Sequence, residues 1–307
     1  MLDWRTPTLS DVRLIKDYMD RAGAGASDSS AVNIYLLREK YNIKIAEKDG
    51  FLYRKYTGER IPGRHGCALP LGDGDLRSAI ETLKEDRAAN HKTLKLIYLT
   101  SDHCEKLRAA GYDPEFDTFA GNSDYMYTAE HLATLPGKKN RKKRNRVSHF
   151  ESVYPECNIV CRERVNEQFL NDMLAVEESW FLYQEERIDS TFVEREEIYD
   201  ACKKWDDLDL IGIVIYNRDS EPIAMSIASE ISPGYFDIHF EKCYDEYAQA
   251  GGFAFVNLQF ATYLRDRHGA EWINREEDIG LEGLRRAKTS YNPDLLLEKY
   301  HCSIDLA

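Results

Sequence analysis

No run of apolar residues in this sequence is long enough to cross a membrane. The longest strongly apolar stretch is Leu210 to Tyr216, which suits a buried strand and falls far short of the ~18 residues that a spanning helix needs. The N-terminal segment has no basic region followed by an apolar block, so no secretory leader is expected. Paired cysteine motifs are missing too. Cys67, Cys104, Cys157, Cys161, Cys202, Cys243 and Cys302 are scattered, without a CxxC. That usage predicts buried thiols in a reducing cytoplasm, with no disulfide framework and no metal site. Positive charge is also in short supply, with 41 Lys and Arg against 54 Asp and Glu and a formal charge of −13. An acidic surface repels phosphate, which excludes a general nucleic-acid coat and leaves room only for a local anion site.

Against that background, one stretch stands apart. Between Lys138 and Arg146, seven of nine residues are Lys or Arg, and without them the formal charge would fall from −13 to −20. Concentrating them there costs self-repulsion, so the segment is expected to bind a polyanion: RNA, a phospholipid headgroup or a nucleotide phosphate. Val147, His149 and Phe150 follow directly, so the run is expected to enter an ordered helix. The anion-binding set is Lys138, Lys139, Lys142, Lys143, Arg144, Asn145 and Arg146.

The rest reads as an α+β chain of two halves: residues 1–135, a basic connector at 136–153, and residues 154–307. In the first half, a helix near Val12 precedes an Asp49-Gly50 hairpin, and a short strand, helix, strand and helix follow. In the second half, two helices, with Ser190 capping the later one, precede a three-stranded meander from Leu210 to Cys243. "EYAQA" reads as a loop, and a helix, strand, helix and final extended piece close the chain. This order resembles the Gcn5-related N-acetyltransferase fold in two tandem units. That resemblance implies a splayed sheet and a pyrophosphate held at a helix N-terminus.

Three segments of the second half carry candidate chemistry. In "YFDIHFEK", strict alternation would place Asp237, His239 and Glu241 on one face. Glu241 is the preferred general base and His239 the second choice. The loop "EYAQAGGFAF" resembles the acetyltransferase pattern at Gln249, Gly252 and Ala254, and Gln249, Gly251 and Gly252 are donor-binding candidates. In "WINREEDIGLEGLRRAKTSYNP", Asn274, Arg275, Glu276 and Asp278 at the strand end and Arg285 and Lys288 on one helix face are read as a site, with Asn274, Arg285 and Lys288 binding candidates and Glu276 and Asp278 further carboxylates; the acetyltransferase resemblance implies that Tyr291 is the phenol that protonates a leaving group.

These segments together resemble the bacterial family of the C-terminal domain of phosphatidylglycerol lysyltransferase. The matching residues are Asp124, Tyr125 and Tyr127; Gly137, Lys138 and Lys139; Asn145; Asn274, Glu276, Asp278 and Gly280; and Leu284, Arg285, Lys288 and Tyr291. The resemblance covers nearly the whole chain. It implies transfer of an aminoacyl group from charged tRNA to an acceptor. The alternatives are acyl-CoA-dependent N-acyl transfer and a non-catalytic anion-binding protein. Expected partners are tRNA and, peripherally, anionic lipid. The donor, aminoacyl-tRNA or acyl-CoA, takes the place of a resident cofactor.

Overall fold

The computed structural model describes residues 1–23, 25–58, 64–88, 93–119, 121–183 and 189–306. The side chain of Ser190, the expected cap, lies outside the described residues. Two compact units form. Unit 1 is Met1–Asp124, Glu277–Arg285 and Leu296–Ala307, and unit 2 is Tyr125–Glu276 and Arg286–Leu295.

In unit 1, α1 (Val12–Ala22) and α2 (Ala31–Leu36) precede β1 (Ile43–Lys48), β2 (Phe51–Tyr56), β3 (Gly66–Cys67) and β4 (Leu71–Gly72). Helix α3 (Leu76–Ala88), β5 (Thr93–Leu99), α4 (Ser101–Ala109) and β6 (Asp117–Thr118) follow. Asp49 and Gly50 adopt positive φ of 51° and 77°, as the expected two-residue turn of the β1–β2 hairpin requires.

Unit 2 is built from β7 (Asp124–Thr128), α5 (Ala129–Thr134), α6 (Arg141–Val153), β8 (Asn158–Arg162), α7 (Glu167–Tyr183) and α8 (Asp189–Lys203). The meander is β9 (Ile211–Tyr216), β10 (Pro222–Ser232) and β11 (Tyr235–Cys243). Then come α9 (Asp245–Ala250), α10 (Gly252–His268) and β12 (Trp272–Asn274); the chain crosses between the units within α11 (Glu282–Thr289) and within β13 (Leu295–Leu297), and β14 (Tyr300–Asp305) belongs to unit 1. The "EYAQA" segment is therefore the short helix α9, not a loop. Strand β8 was not anticipated, because Asn158 to Arg162 stays half exposed and shows no clean alternation.

Each unit contains a mixed sheet. The first runs β1-β2-β3-β5-β14-β6 with β4 on β2, and the second β13-β7-β12-β11-β10-β9-β8. The α+β class with mixed sheets is confirmed, but the linear boundaries 1–135, 136–153 and 154–307 do not describe the units. The closing strand of the first half, β7, pairs with β12, and the closing strand of the second half, β14, pairs with β5. Strand pairing follows register and burial, which local sequence does not reveal.

Unit 1 buries the motif residue Asp124 in an ion-pair group. Lys299 Nζ lies 2.7 Å from Asp124, 3.1 Å from Asp28 and 3.6 Å from Glu277, and Arg64 pairs with Glu277 at 2.9 Å. Asp124 also accepts hydrogen bonds from the backbone and hydroxyl of Ser27. Three carboxylates thus share two cations, which is how buried charge is tolerated.

Unit 2 positions the site. Strand β11 is parallel to β12 over Tyr235, Phe236 and Asp237 alone, so residues 238–243 part from β12. This is the splay that the fold resemblance implies. On one face, α5, α6 and α10 pack around Phe236, Ile238, Phe150, Phe255 and Phe260. Side chains of α10 are buried at Ala254, Phe255, Val256, Asn257, Phe260, Ala261 and Leu264. Each large apolar one adds roughly 1.5–3 kcal/mol of burial.

Candidate functional site in the splay of unit 2

A β-bulge decides which side chains meet in the splay. Ile227 pairs with Phe240 and Ala228 with Ile238, so His239 is the extra residue on β11. A bulge re-aims the side chains that follow it. Glu241 consequently falls on the α10 face with Ile238, and Lys242 on the α7 face. The expected single row of Asp237, His239 and Glu241 is therefore broken. His239 Nε2 lies 2.7 Å from Ser229 Oγ, and its Nδ1 lies 3.7 Å from Asp237. Burial pushes His239 down to about 3, so the imidazole is neutral. Asp237, His239 and Glu276 bring ligand atoms within 4.8 Å of one another.

Glu241 sits in a different group. Its carboxylate accepts Asn257 Nδ2 at 3.0 Å and Arg275 Nη2 at 3.0 Å. Arg275 follows the last residue of β12, where that strand leaves β11. Its guanidinium carbon lies 4.8 Å from the Tyr291 ring, and Lys143 Nζ lies 3.7 Å from the same ring. Arg275 Nη1 and Asn257 Oδ1 are buried and make no hydrogen bond among the described residues. Such atoms are costly unless a ligand or water meets them.

Electrostatics tune two members. Burial, then repulsion from Arg275, pushes Lys143 down to about 8, against a partial pull from Glu241. Burial above all pushes Tyr291 well above the usual phenol range, so it stays a hydrogen-bond donor. The group thus holds an amine that titrates near neutrality, a protonated phenol and a buried guanidinium with a spare donor.

Helix α6 links this group to the surface. Lys138, Lys139, Lys142, Asn145 and Arg146 are exposed, whereas Lys143 and Arg144 turn inward. Arg144 donates to the carbonyls of Leu135 and Gly137. Asn140, inside the basic run, is buried and anchors the helix start. Its amide lies 2.7 Å from His131 Nε2, and its Oδ1 accepts from Asn292 at 3.0 Å. His131 Nδ1 lies 2.7 Å from Asp294. With Nε2 accepting from Asn140, the Nδ1–H donates to that carboxylate.

The other sequence candidates make contacts of their own. Gly251, with φ 113°, presents its Cα to the Arg146 carbonyl, and an added Cβ would collide with it. An added Cβ on Gly252 would lie 2.5 Å from Cys243 Sγ. Both glycines thus serve close packing. Gln249 donates to Asp245, and its carbonyl lies 3.5 Å from Arg146 Nη1. Asn274 is buried and accepts from the Glu276 backbone, whose φ is 57°. Asp278 belongs to unit 1, where it accepts from Gly280 and pairs with Arg285 at 2.8 Å. The Lys288 carbonyl accepts from Tyr127 at 2.6 Å.

Sequence reasoning missed Asn257; it named Arg275 in the strand-end group and Lys143 among the anion-binding residues, without bringing the two together. Asn257 had one signal, a lone amide among the apolar residues of "GFAFVNLQF".

Residues 20–303 match the family described as "Phosphatidylglycerol lysyltransferase, C-terminal". A conserved protein of unknown function from Bacteroides thetaiotaomicron superposes with a TM-score of 0.88 at 28% identity, covering 99% of this chain and 100% of that one. L-PGS from Bacillus licheniformis shares the fold, with a TM-score of 0.62 at 13% identity over 96% of this chain and 91% of that one. No curated protein matches the chain. Among the described residues, no helix is long and apolar enough to cross a membrane.

Proposed function

The chain belongs to the phosphatidylglycerol lysyltransferase C-terminal family, a transferase kind, and on that premise we propose that it moves an aminoacyl group from charged tRNA to a hydroxyl or amine acceptor. One observation carries this reading. The helix that exposes Lys142 and Arg146 also delivers Lys143 to the Tyr291–Arg275–Glu241 group. An RNA backbone lying along α6 would therefore bring its acceptor end toward an amine poised for proton transfer. Close packing accounts for Gly251 and Gly252 without a pyrophosphate, and for that reason we rank acyl-CoA as the second donor.

Chemistry follows from the groups present. The acceptor attacks the ester carbonyl carbon, and neutral Lys143 takes its proton. With a value of about 8, roughly a tenth of Lys143 is neutral at pH 7. Arg275 and Tyr291 donate to the oxyanion. As it collapses, the bond to the tRNA ribose oxygen breaks, and that oxygen takes the proton from Lys143. Glu241 holds Arg275 in place as its counter-ion.

The test measures tRNA binding by fluorescence anisotropy across salt concentrations, and transfer from a pool of labelled aminoacyl-tRNA. Converting Lys138, Lys139 and Lys142 to Ala should weaken binding at low salt. It should also shallow the log–log salt slope by roughly 2–3. Absence of tRNA binding by the unaltered protein, with coenzyme A raising its melting midpoint, would make the acyl-CoA reading the correct one.

A further inference from the structure

Two members of the functional group in unit 2 are carried by short segments that bond to each other. Lys143 lies three residues after Asn140, and the backbone amides of Lys143 and Arg144 both donate to the Asn140 carbonyl at 3.0 Å. Tyr291 lies immediately before Asn292 and three residues before Asp294. The segments are joined side chain to side chain, because Asn292 Nδ2 donates to Asn140 Oδ1 at 3.0 Å. The 3.7 Å approach of Lys143 Nζ to the Tyr291 ring therefore depends on how Asn140 is held.

Asn140 can receive Asn292 in one orientation only. Its side-chain amide has a donor end and an acceptor end. The donor end faces His131 Nε2 at 2.7 Å and the Pro136 carbonyl at 3.1 Å, which leaves Oδ1 for Asn292. Turned over, Asn140 would set its NH2 against the NH2 of Asn292 and its oxygen against the Pro136 carbonyl. His131 fixes the choice by offering a bare nitrogen. It does so because its Nδ1–H donates to Asp294 at 2.7 Å. In the other tautomer, a bare Nδ1 would face the carboxylate at that distance with no proton between them. Asp294 is itself held by Thr128, which donates from its backbone at 2.9 Å and its hydroxyl at 3.4 Å. His131 and Asn140 are 9% and 3% exposed, so bulk water is kept from competing for these bonds.

We propose that His131 is a positioning residue for the transfer: acting through Asn140 and Asn292, it holds the Lys143 amine against the Tyr291 ring. This rests on the transferase reading and adds a residue to it. The effect reaches the chemistry through desolvation of the amine. Held in place, Lys143 titrates at about 8; released to water it would return toward 10.5. A full return would cut the neutral amine present at pH 7 roughly 300-fold.

The experiment follows Lys143 by NMR through a pH titration of the intact protein carrying isotope-labelled lysine, assigned with Lys143→Arg and run without RNA. His131→Leu removes the acceptor and keeps an apolar body beside Tyr127. The proton affinity of Lys143 should then rise at least tenfold. Transfer from labelled aminoacyl-tRNA at pH 7 should fall at least tenfold, with tRNA affinity unchanged. His131→Gln can still present an oxygen to Asn140 and should keep Lys143 near 8, whereas His131→Asn is too short and should behave like His131→Leu. Val147→Ala, on the apolar side of the same helix, separates positioning from stability. It should lower the melting midpoint and leave the Lys143 titration where it is. Where His131→Leu does not fold, Asn292→Gly keeps the left-handed φ of 53° and removes the bond to Asn140. Lys143 unmoved in His131→Leu or Asn292→Gly, His131→Gln shifted as far as His131→Leu, or an equal shift in Val147→Ala would overturn the assignment. Because the titration needs no tRNA, its outcome is separate from that of the binding measurement. A displaced Lys143 without tRNA binding sinks the donor reading alone, and tRNA-dependent transfer with Lys143 unmoved sinks the positioning role alone.

Discussion

The Glu241–Arg275 pair offers a quantitative test of how unit 2 holds its site. Their side chains are 12% and 10% exposed and meet at 3.0 Å, so this is a buried ion pair. Removing one member of such a pair leaves an uncompensated buried charge and typically costs ~3–5 kcal/mol, whereas replacing both with uncharged groups is often near neutral. Glu241→Gln keeps the shape and removes the charge that balances Arg275. Arg275→Met leaves Glu241 only its bond from Asn257. Each single change should therefore lower stability by ~3–5 kcal/mol, or roughly 10 °C in melting midpoint for a domain of this size. The double variant should lose no more than either single one. Circular dichroism melts of all four proteins close the cycle. Simple additivity, or single costs under ~1 kcal/mol, would refute the reasoning, because that is how solvent-exposed pairs behave.

Two further predictions concern the helix beside this pair. Lys143 titrates near 8 in the folded protein against 10.5 unfolded, so its folded value is depressed. Between those values the unfolded chain binds more protons, and stability should rise with pH through the window and be lost as pH falls through about 8. The full effect is at most ~3 kcal/mol, reduced by the partial solvation of the amine. Urea melts at both ends of the window should show it, and Lys143→Met should flatten it; an unchanged slope in that variant would remove Lys143 as the titrating group. Gly251→Ala forces a Cβ into the Arg146 carbonyl at φ 113°, so a loss of at least ~1–3 kcal/mol and weaker tRNA binding are expected from displacement of α6. An alanine variant with unaltered melting and binding would show that α6 is not seated there.

Much of the element order was legible from local pattern. The Asp49-Gly50 hairpin, the meander from β9 to β11 and the helices α7 and α10 follow from turn chemistry and apolar spacing, which act over a few residues. The basic run was legible as a helix because Val147 and Phe150 sit at core spacing within it. Other features were not legible, for identifiable reasons. Alternation placed Glu241 with His239, but the bulge at His239 inserts one residue and moves Glu241 to the opposite group. The paired glycines at 251 and 252 resembled an anion loop, yet the same residues are required where α6 backbone and Cys243 pack closely. Asp278 and Arg285 fitted a motif beside Asn274, but they bond to each other in unit 1.

By itself, the sequence determined the family, the α+β class and an acidic chain with its positive charge gathered in one segment. Those depend on residue identity and short-range order. Tertiary structure alone decided that β7 and β14 close the sheets of the opposite halves, that Lys143 and Arg144 leave the basic surface, and that Arg275, Asn257 and Glu241 meet. Each depends on strand register or on which helix covers a face. Both are set by burial across long sequence separations, where one inserted residue reverses every side chain that follows.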